Sequence, residues 1–350
     1  MNITDYISNR NTVYFKKKIR IVSAGCTGGK KESEGPLGQY LDESFTDPLA
    51  NEESFEKAES LLCKTALKSA LAKAGITDKS VDAVFAGDLL NQCSSTGYGL
   101  EDFDIPYFGL YGACSTCAEG IILASAMIES GIISSAAVVA SSHFCSAERQ
   151  FRFPLAYGSF SQPTAQNTVT GAGAIILCDE DKFNINDDSR PIYITEALPG
   201  IVTDRGITDA GNMGAAMCSA AADTISRYLE SDKAATDTTD LFATGDLGWE
   251  GLKLLSLLLK DKYPIQENKL TDCGLLIYDL KKQSCGCGGS GCGCSAVVTA
   301  GYFYESLKKG VFNKIALIGT GAMMSPKSLY QGMTIPGIAH LVTLSSKPNS

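Results

Sequence analysis

The sequence predicts an α/β fold built from two duplicated halves, and three observations carry that reading. Short apolar strand-like runs alternate with amphipathic helical stretches, the pattern of sheets covered by helices on both faces. A strand ending in Gly-Asp-Leu occurs twice, almost half the chain apart, at residues 82–89 and 240–247. A glycine-rich turn that opens a helix and leads to an apolar strand also occurs twice, in the same order.

Residues 55–74 put Ala58, Leu62, Ala66 and Ala70 on one face, flanked by Leu67 and Leu71, between Glu52-Glu53 and Gly75. That spacing predicts an amphipathic helix with a glycine stop. The run from Asp82 to Asp88 is short, apolar and bounded by acids, hence a buried strand. Ile105 to Leu110 reads as another apolar strand, entering Gly112-Ala113-Cys114-Ser115, which opens a helix ending near Gly131; a strand at 136–140 follows. In the second half Met213, Met217, Ala221, Ile225 and Leu229 mark the counterpart helix, and Asp240 to Asp246 the counterpart strand. Gly293-Cys294-Ser295 opens a helix running to Gly310, and 315–318 closes the series as a strand. The halves are expected at residues 1–180 and 181–350, related by a pseudo-twofold axis that aims both helix N-termini at one central site. Unpaired amides and the helix dipole there favour an anion or a thiolate.

Composition narrows the function. The 350 residues carry a net charge of −9, with a pI near 4.9 and no dense basic run, which argues against nucleic acid or anionic lipid held through a basic surface. The first residues carry Asp5 and no apolar core, so no secretory signal is expected. Glu129, Gly120 and Gly131 interrupt the apolar stretch at 120–144, so no transmembrane span is expected either. Thirteen cysteines stand against two histidines, His143 and His340. The cysteines are too sparse for a small disulfide scaffold and read mostly as reduced, buried small side chains.

Position singles out Cys114, because a helix N-terminus lowers a thiol pKa; the competing reading is a small residue required at a tight turn. A nucleophilic cysteine also needs a base, and His143, after the following strand, is the candidate, whereas His340 lies near Pro336. The run Cys285-Gly-Cys287-Gly-Gly-Ser-Gly-Cys292-Gly-Cys294 is compatible with zinc, an iron–sulfur cluster or a redox pair. Its spacing is shorter than usual zinc pairs and it coincides with the repeated turn, which favours a Gly/Cys-rich turn and no metal. Arg149 and Arg152, in a polar loop with aromatics, are placed either to meet ligand carboxylates or to form salt bridges. Gly171-Ala-Gly173 and Gly319-Thr-Gly321 lack the context of a dinucleotide site and read as close-packing positions.

The duplicated halves with a Gly-Ala-Cys-Ser turn resemble the thiolase and ketoacyl-synthase superfamily, with Cys114 at the nucleophile position. Longer motifs narrow the resemblance: 35–38 (Gly-Pro-Leu-Gly), 86–92, 112–116, 141–143, 147–154, 212–217, 244–247 and 288–296. Together these resemble the stage V sporulation protein AD (SpoVAD) family over roughly residues 12–345. The resemblance implies a thiolase-like, layered α-β-α-β-α fold and a non-catalytic protein that binds dipicolinic acid, pyridine-2,6-dicarboxylate. It also implies work with other SpoVA proteins, peripherally at the forespore inner membrane, in moving that compound into the developing spore, and a homodimer. Where a ketoacyl synthase places histidine, this chain has Thr244-Gly245-Asp246, and where it places asparagine, Ser290. The ligand pocket is accordingly expected at Cys114, Ser115, His143, Asp246, Ser290, Gly291 and Cys294. Arg149 and Arg152 are possible loop contacts, with no cofactor except calcium accompanying the ligand. An acyltransferase or thiolase using Cys114, or a ligand-free scaffold, are the alternatives.

Overall fold

β1 (Val13–Gly29) is a 17-residue strand whose second half is wholly buried, and everything else is arranged around it. The computed structural model describes residues 12–151, 162–183, 189–263 and 265–349. In the first half, β2 (Glu43–Phe45) is followed by α1 (Phe55–Ala74), β3 (Ala83–Gly87), α2 (Ser94–Leu100), β4 (Tyr107–Gly109), α3 (Thr116–Ser130), β5 (Ser135–Ser142), α4 (Phe144–Phe151), β6 (Asn167–Thr168) and β7 (Gly171–Asp179). The second half runs β8 (Tyr193–Leu198), α5 (Met213–Ser231), β9 (Leu241–Thr244), α6 (Gly248–Leu259), β10 (Leu270–Asp272), β11 (Gly289–Ser290), α7 (Cys292–Val298), β12 (Lys314–Ala322) and β13 (Gly337–Ser345). α7 continues through a wider turn at Thr299–Phe303 into Tyr304–Lys308.

Local signals set the helix ends. Ser54 caps α1 by accepting from Lys57 N at 3.2 Å, and Gly75 ends it at φ +66°. Asn212 caps α5 in the same way, from Ala215 N. Gly131 and Gly310, both left-handed, close the two central helices.

The strand order is β4-β3-β5-β7-β1 in the first half and β8-β13-β12-β9-β10 in the second, joined through β1 and β8, so it reads alike from either end. β7 is antiparallel to both its neighbours, and so is its counterpart β13. The inner strands β3, β5, β9 and β12 pair in parallel with their partners toward the edges.

Alternation along each strand feeds two cores at once. Phe85, Val138, Ile175, Leu177, Ala243 and Leu317 face a central core with α3 and α7. Their neighbours Val84, Ala137 and Ile176 face α1, and Phe242, Ala316 and Ile318 face α5 and α6. Helices, half-sheet, helices, half-sheet and helices therefore form five layers. The strand expected over 105–110 is shorter: β4 is an edge strand, with Tyr107 41% and Phe108 45% exposed. Its apolar composition reflects that edge and not a buried strand.

Candidate functional site

Between β4 and α3 the chain makes a single turn, Ala113–Ser115. Ala113 sits at φ +53°, left-handed backbone that costs a non-glycine residue of order 1 kcal/mol. The turn carries Cys114 to the centre of the molecule. From the other half, the end of β9 delivers Thr244-Gly245-Asp246, and the turn between β11 and α7 delivers Ser290-Gly291.

The Asp246 carboxyl accepts from Thr320 Oγ1 at 2.7 Å and from Gly291 N at 3.2 Å, and is hydrogen-bonded to the Cys114 thiol. Burial pushes its pKa up to about 7. Burial first, and then the charge of Asp246, hold the Cys114 thiol well above its ordinary value. The sulfur is a protonated thiol at neutral pH, and the thiolate is the reactive form. Asp272 supports this arrangement from beneath. Its carboxylate accepts from Leu247 N at 2.7 Å, Gly248 N at 3.1 Å, Gly274 N at 3.0 Å and Thr244 Oγ1 at 2.6 Å, fixing the loop on which Asp246 rides.

A cavity of about 590 Å³ opens in front of Cys114, lined also by Ser290, Gly291, Thr168, Tyr111 and Glu148, a size suited to a small organic ligand. Glu148 accepts from Thr168 N at 3.3 Å and Oγ1 at 3.1 Å. No lysine or arginine occurs among the described residues that line it.

The expected site residues separate into groups. Cys114, Ser290 and Gly291 line the cavity, with Asp246 directly behind Cys114 and Gly291. Ser115 is turned into its own loop, its hydroxyl donating to Gly112 O at 2.7 Å. Cys294 is buried in the first turn of α7, Sγ to Gly245 O at 3.4 Å and amide to Gly291 O at 3.0 Å. The nearby Gly293 amide donates to Ser142 Oγ at 3.0 Å. The Gly293 and Cys294 amides of α7, expected to await an anion, are thus already bonded within the protein, which corrects that expectation. His143 lines a different cavity. Its Nε2 meets Pro48 O at 2.8 Å, its Nδ1 accepts from Cys145 N at 3.1 Å, and the ring stacks on Phe55. Both nitrogens are engaged away from Cys114, and burial lowers the ring pKa. Arg149 pairs with Glu56, and Arg152 lies outside the described residues.

The four cysteines of 285–294 go separate ways. Cys285 donates to Gln283 O, Cys287 accepts from Glu250 N, and Cys292 donates to Ala113 O at 2.9 Å. Among the described residues no group of three or more histidine, cysteine or acidic side chains is placed to hold a metal.

A family model for stage V sporulation protein AD matches residues 9–345. The chain is 41% identical to stage V sporulation protein AD of Bacillus subtilis over 335 residues, covering 95% of this chain and 96% of that one. The chain belongs to the stage V sporulation protein AD family. Among solved structures it is similar to Xanthomonas campestris OleA (TM-score 0.61, 14% identity, 95% of this chain and 98% of that one). It is also similar to the 3-oxoacyl-(acyl carrier protein) synthase III of Xanthomonas oryzae (TM-score 0.59, 17% identity, 94% and 100%). Those likenesses fix the thiolase-like fold of this sporulation-family member.

Asp272, Glu148 and Thr168 were not singled out in the sequence, although the segment containing Glu148 and Arg149 was; it was expected as a polar loop and its residues 144–151 form α4 instead. Asp272 ends the short strand β10 and caps the turn of helix at Cys273-Gly274, a helix-cap signal in retrospect.

Proposed function

We propose that this member of the stage V sporulation protein AD family is a binding protein and not an acyltransferase. In this reading it takes dipicolinate into the cavity in front of Cys114 and serves, with other SpoVA proteins, its uptake into the developing spore. The observation that carries the reading is the partner of Cys114: a buried carboxyl that keeps the thiol protonated, where acyl transfer needs a base that ionises it. The engaged nitrogens of His143 count against an acyltransferase using that residue.

A flat dicarboxylate of this size fits a cavity of about 590 Å³. With Asp246 behind the wall, a dianion would be repelled unless its charge is compensated. A proton on Asp246 or a calcium ion carried with the ligand supplies that compensation. The exposed edge strand β4, with Tyr107 and Phe108, is the face we assign to a second copy of the chain. Among the described residues no helix is long and apolar enough to cross a membrane, consistent with peripheral attachment at the spore inner membrane through membrane partners.

Calorimetric titration of dipicolinate, with and without calcium, tests the reading. The native chain is expected to bind and Cys114→Trp, which fills the cavity, to lose binding. Absence of binding by the native chain in both conditions sinks it, and an acyl adduct on Cys114 after incubation with acyl-CoA, seen by mass, would favour the transferase.

A further inference from the structure

A second cavity, of about 420 Å³, lies on the other side of α4 from Cys114. The two are separated by a thin wall: Asn167 lines this one and Thr168 the other, and Cys145 lines this one while Ala147 lines the other. Segments distant in sequence converge on it, from the end of β1, the loop after β2, α1, the start of α4 and the 282–284 turn. Its rim loop holds two successive non-glycine residues in left-handed backbone, Ala50 at φ +50° and Asn51 at φ +63°, a conformation that persists only where its surroundings impose it.

The wall chemistry is ordered by charge. Lys31 Nζ donates to Asn167 Oδ1 and to Ser284 O, both at 2.9 Å, and stands 5.8 Å from the centre of the Phe144 ring. Both acceptors are neutral, and an ammonium has three N–H donors, so a half-buried cation is held in place without a carboxylate among its hydrogen-bond partners. The acids nearby are otherwise occupied. Asp47 accepts from Leu49 N and Asn51 N of its own loop. Glu32 is buried, accepts from Tyr278 and from Thr170 N, and is shifted by burial toward its neutral form. Glu34 and Asp279 lie near Lys30 and Lys282 at the rim. Phe45, Leu62 and Phe144 supply an apolar surface.

We propose that this second cavity is a binding site for a small organic anion, a carboxylate on a compact apolar body, with the Lys31 ammonium as counter-charge and Phe45, Leu62 and Phe144 against the body. A fixed cation over an aromatic face, bordered by apolar side chains, is the complement of such a molecule. The assignment is independent of what occupies the cavity at Cys114.

The probe is 4-fluorobenzoate, followed by fluorine NMR line broadening on the full chain, with 4-bromobenzoate soaked into crystals to locate bromine by anomalous scattering. Binding with a Kd of about 1 mM or tighter is expected, retained in Lys31→Arg and in Cys114→Trp, and weakened at least about tenfold in Lys31→Met. Bromine density beside Phe144 and Lys31 supports the assignment without relying on the folding of any variant. Loss of binding in Cys114→Trp, bromine density in the other cavity, or no binding by the native chain overturns it.

Discussion

The two Gly-Asp-Leu turns occupy equivalent places in the halves and do different work. In the first, Asp88 is spent on its own loop, accepting from Leu90 N at 2.8 Å, Thr96 N at 2.7 Å and Thr96 Oγ1 at 2.9 Å. In the second, Asp246 turns to the centre, to Thr320, Gly291 and Cys114. The task of holding the loop passes to Asp272, which has no counterpart bond to Asp246 and binds the neighbouring amides. In the second turn one carboxyl faces the central site and another, Asp272, makes the structural hydrogen bonds, whereas in the first Asp88 makes them itself.

That division of labour can be broken in order of expected effect. Asp272→Ala leaves the three amides of Leu247, Gly248 and Gly274 without this acceptor, and is expected to cost about 3 kcal/mol or more in urea denaturation. Asp88→Ala, which strands fewer donors, should cost about 2 kcal/mol by the same measurement. Asp246→Asn should differ in kind. The folded-state pKa of Asp246 is raised, to about 7, so the native state holds a proton that the unfolded chain gives up near pH 4. The stability associated with that proton is fully present below about pH 4 and is lost as pH rises to about 7. Denaturation across this window should show the native chain weakening by ~2 kcal/mol or more and Asp246→Asn weakening less; identical slopes would refute the protonated carboxyl. Glu59, raised to about 8 by burial and by Asp88, adds a loss of the same sign in both proteins. The smallest effect is kinetic. Cys114 should react slowly with iodoacetamide at pH 7.5, and Asp246→His, which puts an imidazole beside the thiol, should speed alkylation by about tenfold.

The duplication was legible because both faces of every inner strand are buried, which forces short, wholly apolar runs, and because the glycines that recur are steric requirements. Residues 55–74 and the start of α5 were legible from spacing and caps. The strand before Cys114 was legible too, but its length was not: β4 is a short edge strand with exposed side chains, and its apolar composition resembles that of a buried one. His143 misled for another reason: it lies close in sequence to the central strand β5, yet the chain turns at Ser142, and the ring goes to Pro48, a carbonyl 95 residues away. The role of the α7 amides was unreadable for the same cause, since Ser142 and Asp246 reach them only in three dimensions. What the sequence did carry about the site was the identity of four residues, Cys114, Asp246, Ser290 and Gly291, and their facing positions in a repeat.

The glycines at 173 and 319 have an outcome for how the molecule comes apart. A side chain at Gly173 would come within 2.3 Å of Ala296 O on α7, and one at Gly319 within 2.5 Å of Ala118 on α3. Each central helix therefore meets a strand of the opposite half at close range, α7 on β7 and α3 on β12, although α3 also packs on β5 and β3 of its own half. Neither half retains a complete core once the other is removed, so melting should proceed as one calorimetric transition, and chains cut near residue 185 should regain structure only when both fragments are mixed.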